Sequence, residues 1–390
     1  MESQQNNPTK KTLFKNYISP EGEERIKNYK YNCQTDSIIY KYIMGPIANI
    51  HVNFLPYNLA PNTITMIAFL FNLIPHLLIA SVTGENLSAE IPRWLFVFTG
   101  ISQFLYMHFD NMDGKQARRT GSSSSLGMLY DHGLDSVSGW IMALNLGCAI
   151  RLENGLVAYL CLLLVPVLGF YFTMWEEYHL DFLNFGMINP VDEGITIMNL
   201  ILIFSGIVGS SWWTHEAFFG LNRNHVMAIL VVAACAFGIV ANVLRVLKRS
   251  PQGSRRKNLE TLKVSLFLIA CMLTIAAFSP SNIVERRTRS LVTCFGLGFC
   301  KVIGHIQLAH CAGDVFYQWR RSFIFSSSIL VINTLIGFWL GKFLISEDLL
   351  LTLAIIFNLC CYLHYILSIT QQLTRVLGIR VFSIQKAKAT

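Results

Sequence analysis

Four aspartates, Asp110, Asp113, Asp131 and Asp135, fall within one stretch of 26 residues. The first pair is spaced i, i+3 and the second i, i+4, and each spacing puts both carboxylates on one face of a helix. Residues 120–125 (TGSSSS) supply a flexible turn between the pairs, so two helices can run antiparallel with their acid faces opposed. Carboxylates gathered near hydrocarbon repel one another and resist desolvation. A hard cation relieves both costs, and oxygen-only ligands favour Mg²⁺, Mn²⁺ or Ca²⁺ over zinc or copper. Four carboxylates suit two ions sharing ligands, an arrangement that stabilises in-line displacement at phosphorus. Lys115, Arg118 and Arg119 stand beside the acids, and cations next to bound metals imply a multiply anionic ligand such as a pyrophosphate. Gly114 permits close backbone approach. Ala117, one turn after Asp113, keeps the face small, and Gly127, one turn before Asp131, lets helix pack on helix. One aspartate pair alone would read as helix caps on a solvated loop. Two pairs, both at helical spacings and both beside apolar runs, read as a functional site.

The elements that must position these acids are membrane helices. The chain has 390 residues, 53% hydrophobic and 14% charged, against roughly 25% charged in a soluble domain. At ~20 residues per span plus connections the chain holds about ten spans. They are expected near 62–82, 92–109, 136–152, 156–175, 194–211, 226–246, 261–279, 289–309, 322–345 and 348–370. The expected fold is therefore all-α and polytopic, and the acids lie between the second and third spans. Residues 1–37 are polar and form a cytosolic N-terminal segment. Residues 38–58 contain an apolar run broken by Lys41, Pro46 and His51, read as an interfacial amphipathic helix. Residues 59–175 make the catalytic core around positions 110–135. Residues 176–370 add the remaining helices of the same domain, and 371–390 form a basic cytosolic tail.

Ten spans place both termini on one side. Arg245, Lys248, Arg249, Arg255, Arg256 and Lys257 after the sixth span, with Arg375, Arg380, Lys386 and Lys388 in the tail, make that side cytosolic by the positive-inside rule. Arg286, Arg287 and Arg289 run against this assignment. The net charge of +8 then reads as cytosolic loops meeting anionic lipid in the bilayer, with no nucleic-acid partner. Six of the ten cysteines sit in apolar runs and read as small buried hydrophobes without disulfides.

The pattern Asp110-x₂-Asp113-Gly114-x₂-Ala117-Arg118-x₈-Gly127-x₃-Asp131-x₃-Asp135 resembles the signature of the CDP-alcohol phosphotransferase (phosphatidyltransferase class-I) family at all eight fixed positions. Within it, the run DGKQARRTGSSSSLG, the DHGLDS that follows, the LAPNTIT at 59–65 and the Phe382-Ser383 tail are similar to the eukaryotic ethanolamine- and cholinephosphotransferases. The resemblance implies attack of the 3-hydroxyl of diacylglycerol on the β-phosphate of CDP-ethanolamine or CDP-choline, giving phosphatidylethanolamine or phosphatidylcholine and CMP. It implies two Mg²⁺ or Mn²⁺ ions held by Asp110, Asp113, Asp131 and Asp135, a homodimer, and an endoplasmic reticulum or Golgi membrane. Gly114, Lys115, Ala117, Arg118, Arg119, Gly127 and Asn62 are the expected CDP-alcohol contacts, although Asn62 also suits helix capping.

Three residues compete as general base: Asp135, His132 and Glu193. His132 titrates near working pH, but on a helix it points about 100° away from its neighbour Asp131. Glu193 lies in Asn189-Pro190-Val191-Asp192-Glu193-Gly194, where relatives commonly show Gly-Pro-x-Glu-Gly; as a plain helix-start acid it would complement the dipole. Trp175, Glu176 and Tyr178 are head-group candidates, since an aromatic beside carboxylates suits an ammonium; equally they suit an interfacial aromatic belt. The run DHGLD leans toward ethanolamine. An ion-coupled transporter is the alternative outside this class. Transporters place acids mid-span on broken helices in two related halves, and neither feature is present in the sequence.

Overall fold

The computed structural model describes residues 15–186 and 189–384. The N-terminal part holds α1 (Pro20–Asn28) and a short strand β1 (Cys33–Thr35). A π turn (Tyr40–Met44), α2 (Gly45–His51) and a 3₁₀ turn (Val52–Phe54) then run on as one helical segment. Met44, Ala48 and Val52 recur every fourth residue and are buried, whereas Tyr42, Ile43, Ile47, Ile50 and Phe54 are exposed. This is the expected amphipathic helix, its inner face packed toward Ile64 and Met112.

The long helices follow: α3 (Pro61–Thr83), α4 (Arg93–Thr120), α5 (Ser125–Ala149) and α6 (Leu156–Leu180). Strand β2 (Leu183–Phe185) pairs in parallel with β1. A π turn (Pro190–Gly194) opens α7 (Ile195–Val208), and a hairpin of β3 (Glu216–Phe218) and β4 (Leu221–Asn222) precedes α8 (Arg223–Arg249). The remainder is α9 (Arg255–Glu260), α10 (Lys263–Phe278), α11 (Ile283–Arg286), α12 (Thr288–Ala312), α13 (Arg321–Leu340) and α14 (Glu347–Leu377). Eight helical stretches among the described residues are long and apolar enough to cross a membrane. They fall at eight of the ten positions expected from sequence, and α4 and α5, which carry the acids, lie at the other two without meeting that measure.

The second span was expected to stop at 109, but α4 continues through the acids to Thr120. Its 28 residues are about 42 Å long, which exceeds a hydrocarbon core of about 30 Å. The charged end therefore projects beyond the apolar run. Gly121, at φ 65°, ends α4 in the left-handed conformation. Ser124 then caps α5 by accepting the Gly127 N–H at 3.2 Å.

Helix α12 forms the centre, 89% buried along its apolar stretch. Small residues allow the close contacts: a Cβ on Gly304 would lie 2.8 Å from the Tyr365 ring. Polar side chains join helices elsewhere. Asn72 donates to the Ser138 carbonyl at 3.2 Å, and His76 meets Asn145 at 2.9 Å. All ten cysteines are free. The three arginines that ran against the positive-inside assignment each have partners. Arg287 pairs with Glu85 at 3.1 Å and Asp348 at 3.2 Å, Arg286 with Asp348 at 3.0 Å. Arg289 donates to the Gly84 carbonyl and to Thr83. This face is the end of α3 and α4 opposite the acids.

Candidate active site

Because α4 and α5 are joined by a short turn, Asp110 and Asp113 come to face Asp131. One ligand oxygen from each of these three residues lies within 4.8 Å of the other two. Oδ1 of Asp110 and Oδ1 of Asp131 are buried without a hydrogen-bond partner. Asp113 Oδ2 accepts from Thr65 Oγ1 of α3 at 2.5 Å. The fourth acid is set apart from this trio: Asp135 Oδ1 accepts from the Tyr106 hydroxyl at 2.6 Å. The reason is the helical rise. Asp135 is one turn further along α5 than Asp131, so it meets Tyr106, one turn before Asp110 on α4.

These carboxyls lie beyond the apolar runs, which end at 109 and resume at 136. Burial, reinforced by the charges of Asp135 and Asp113, holds Asp110 well above the usual carboxylate range. Burial and the charges of Asp113 and Asp110 do the same for Asp131. Asp113 is pushed by burial up to about 7, against the opposing hydrogen bond from Thr65. A buried oxygen-only donor set with orphaned oxygens is what a hard divalent cation fits, so Mg²⁺ or Mn²⁺ suits the residues present.

The neighbouring basic residues divide by role. Arg118 is exposed, has no ion pair or hydrogen bond among the described residues, and lies over Gly114, where a Cβ would sit 3.5 Å from its Nη1. Asp110, Gly114 and Arg118 thus share one helical face. Lys115 and Arg119 were expected to meet the same ligand, but the structure commits both to the interfacial segment. Lys115 Nζ donates to Asn49 Oδ1 at 2.8 Å and lies 5.3 Å from the Tyr40 ring centroid. Arg119 Nη1 donates to the carbonyls of Val52 at 2.7 Å and Leu55 at 2.9 Å, and its guanidinium stacks 3.9 Å from the Tyr57 ring centroid. Arg119→Met leaves the Leu55 carbonyl without this donor and the Val52 carbonyl with only the Leu55 N–H, and is expected to destabilise the protein by about 2 kcal/mol. Hydrogen exchange should show residues 52–60 loosening before the rest. Ala117 is half-buried beside them. Asn62 donates to the Val381 carbonyl at 2.9 Å, and its Oδ1 would lie 3.5 Å from a Cβ on Gly127. It thereby fastens the tail segment, whose Phe382 rests edge-on 5.9 Å from Tyr130.

The other base candidates point elsewhere. His132 is buried with Nδ1 unpartnered, and its ring faces Tyr31 at 5.7 Å and Phe170 at 6.5 Å. Glu193 uses both oxygens: Oε1 accepts from Ser37 Oγ at 2.7 Å and Ile39 N–H at 3.1 Å, and Oε2 from Asn189 N–H at 3.1 Å. It caps the interfacial segment. Its neighbour Asp192, which sequence reasoning passed over, is buried and near enough for its charge to act on Asp110.

The expected head-group residues are structurally engaged. Trp175 is fully buried, with Nε1 donating to Thr261 Oγ1 at 2.7 Å. Glu176 takes a two-point contact from Arg245, Nε to Oε1 at 2.5 Å and Nη2 to Oε2 at 2.7 Å. The Tyr178 hydroxyl donates to the Asp314 carbonyl at 3.3 Å and accepts the Phe316 N–H at 3.0 Å. Two residues beside the acids make contacts that helical spacing of the aspartates did not assign. Thr65 bonds Asp113. Tyr106 sat unnoticed in an apolar run, though its spacing of four from Asp110 marks the same face.

Comparison with known proteins places this arrangement in a family. The profile of the CDP-alcohol phosphatidyltransferase family matches residues 58–240. The Dictyostelium discoideum protein named uncharacterized CDP-alcohol phosphatidyltransferase class-I family protein 2 is 31% identical, covering 94% of this chain and 88% of its own. Choline/ethanolaminephosphotransferase 2 of Arabidopsis thaliana is 29% identical over 96% of this chain and its own full length. Ethanolaminephosphotransferase 1 of Mus musculus is 28% identical over 95% of each. The acid trio between two membrane helices, the eight signature positions and this similarity along almost the whole chain lead to one conclusion: the chain belongs to the CDP-alcohol phosphatidyltransferase class-I family.

Proposed function

We propose that the protein transfers phosphoethanolamine from CDP-ethanolamine to the 3-hydroxyl of diacylglycerol, producing phosphatidylethanolamine and CMP. The observation that carries this reading is the trio Asp110, Asp113 and Asp131, with two buried oxygens unpartnered, at the end of two membrane helices. Asp110, Asp113 and Asp131, with Asp135 beside them, would hold two Mg²⁺ or Mn²⁺ ions, which when bound neutralise a diphosphate and stabilise CMP as the leaving group. Thr65 orients Asp113. Arg118, unpaired among the described residues, reaches the anionic ligand from the Gly114 face. Asp135 takes the proton of the lipid hydroxyl as the new P–O bond forms and the bond to CMP breaks. The orientation of His132 and the committed oxygens of Glu193 favour this choice of base.

The head group rests on narrower support. A quaternary ammonium calls for an aromatic cage, and Trp175 and Tyr178 are held by other partners. A primary ammonium needs only hydrogen-bond acceptors. CDP-choline is the alternative, and the Arabidopsis relative carries both head groups in its name. The basic loop after α8 and the tail support a site facing the cytosol, in an endoplasmic reticulum or Golgi membrane.

The test is CMP release by purified protein with diacylglycerol and Mg²⁺, assayed separately with each CDP-alcohol. The expected result is faster turnover of CDP-ethanolamine, silenced by chelation and restored by Mg²⁺ or Mn²⁺. Faster turnover of CDP-choline overturns the head-group choice alone. No CMP from either substrate overturns the reaction.

A further inference from the structure

A second set of buried polar groups lies between α5, α6 and α12, under the segment that joins α1 to β1. Glu177 of α6 keeps only 2% of its surface exposed. Among the described residues its carboxylate makes no hydrogen bond, and no lysine or arginine comes within ion-pair distance of it. His310 of α12 stands 3.6 Å away, too far for a hydrogen bond. Three more polar atoms are buried without a partner: the Tyr29 hydroxyl, Gln307 Oε1 and His132 Nδ1. Direct contacts tie these groups together. Met174 and Glu177 share one face of α6. Gln307 Nε2 donates to Met174 Sδ at 3.1 Å, and His310, which meets Glu177, follows Gln307 by one turn of α12. On the covering segment, the Tyr29 ring lies edge-on 5.6 Å from His310, and the Tyr31 ring lies edge-on 5.7 Å from His132. Tyr29 is extended, at φ −61° and ψ 133°, and in extended backbone residues two apart point the same way. The two tyrosines therefore bridge from His310, beside Glu177, to His132, the residue after Asp131. Tyr31 keeps 44% of its surface open and stands at the outer edge.

The chemistry of the set points to one ligand. Unpaired buried acceptors are costly, and a carboxylate among them calls for a cation that also donates hydrogen bonds. A primary ammonium carries one charge and three N–H donors. A quaternary ammonium carries the charge without donors and would leave each acceptor unpaired. The aminoethyl arm beyond a diphosphate is only two carbons long, so its ammonium must be met by groups directly beside the aspartates. Glu176, next in sequence, is committed to Arg245, and Asp181 is exposed and shared between His310 and Arg25. Glu177 is the carboxylate that remains. We propose that Glu177, with the Tyr29 hydroxyl and Gln307 Oε1, takes the primary ammonium of CDP-ethanolamine, and that Tyr31 closes the outer edge of this pocket. The inference rests on the reaction assigned above and adds to it the residues that select the head group.

Full-length protein with diacylglycerol and Mg²⁺ is assayed for KM and kcat with CDP-ethanolamine and with CDP-choline, and its thermal midpoint is recorded. Glu177→Gln is expected to raise KM for CDP-ethanolamine about tenfold or more, the weight of one charge-assisted hydrogen bond, while KM for CDP-choline stays within about twofold. Tyr29→Phe should raise KM for CDP-ethanolamine about threefold with the midpoint unchanged, because the hydroxyl has no partner in the protein to lose. Asp181→Asn should leave both KM values as they were. A purely structural role for Glu177 would raise KM for both CDP-alcohols alike, and that result overturns the proposal. So does a wild-type KM for CDP-ethanolamine in Glu177→Gln and Tyr29→Phe, or a loss in Asp181→Asn equal to that in Glu177→Gln. In each of these cases wild-type CMP release stands and the reaction is untouched. No CMP from wild-type protein, or wild-type preference for CDP-choline, instead overturns the assignment on which the pocket rests, and the pocket with it.

Discussion

Asp131→Asn is expected to abolish CMP release while leaving the protein folded. The substitution keeps shape and removes one of three carboxylates whose oxygens converge within 4.8 Å. Loss of an outer partner of a metal ligand typically costs about 10–100-fold in affinity or activity, so loss of a ligand itself should exceed that range. The fold should not suffer, because the buried acids repel one another without a cation, and removing one charge relieves that repulsion. Two measurements separate the effects. In chelator, the variant's unfolding midpoint should equal or exceed that of the wild type. With Mg²⁺ at a hundredfold excess over Kd, a site that binds only the folded state gains ~2.7 kcal/mol; the wild type should show that gain and the variant should not. Near-wild-type turnover in the variant would remove the trio from the chemistry.

Glu176→Ala produces the opposite pattern: a large loss of stability with little change in substrate affinity. Glu176 has 4% of its side chain exposed and receives both nitrogens of the Arg245 contact. Arg245 also donates to Asn242 at 2.6 Å. Removing the carboxylate strands a guanidinium between α6 and α8. Breaking a buried pair from one side costs about 3–5 kcal/mol, and the lower end applies here because Arg245 keeps 34% of its side chain open. Chemical denaturation should register the loss, and KM for the CDP-alcohol should stay near wild type in the folded fraction. Replacing both partners with apolar residues, Glu176→Leu with Arg245→Met, should recover most of the stability. A raised KM with an unchanged midpoint would instead return Glu176 to the head group.

The contrast between these residues shows what could be read along the chain. Eight of the expected spans coincide with helices long and apolar enough to cross a membrane, because such an apolar run is a one-dimensional property. The interfacial segment was legible through its broken apolar run. The paired aspartates were legible through helical spacing alone, which brings Asp110 and Asp113 onto one face whatever packs beside them. Helix ends were less so. The polar residues after 109 marked where the apolar run stopped, but the backbone hydrogen bonding of α4 continues past them to Thr120.

What the chain could not disclose was where each polar side chain finds its partner. Lys115 and Arg119 stand beside the acids in sequence, yet their partners are Asn49 and the carbonyls of Val52 and Leu55, more than 60 residues earlier. Glu193 reaches back 156 residues to Ser37. Trp175 turns inward to Thr261 instead of outward to a membrane surface. The sequence by itself determined the membrane fold, the family signature and the pairing of acids on helical faces, since these depend on composition and on spacings within a single element. Only the tertiary structure decided that three aspartates converge while Asp135 turns to Tyr106, and which cations remain free, because a charged side chain takes whichever desolvated partner the packing of distant helices brings within reach.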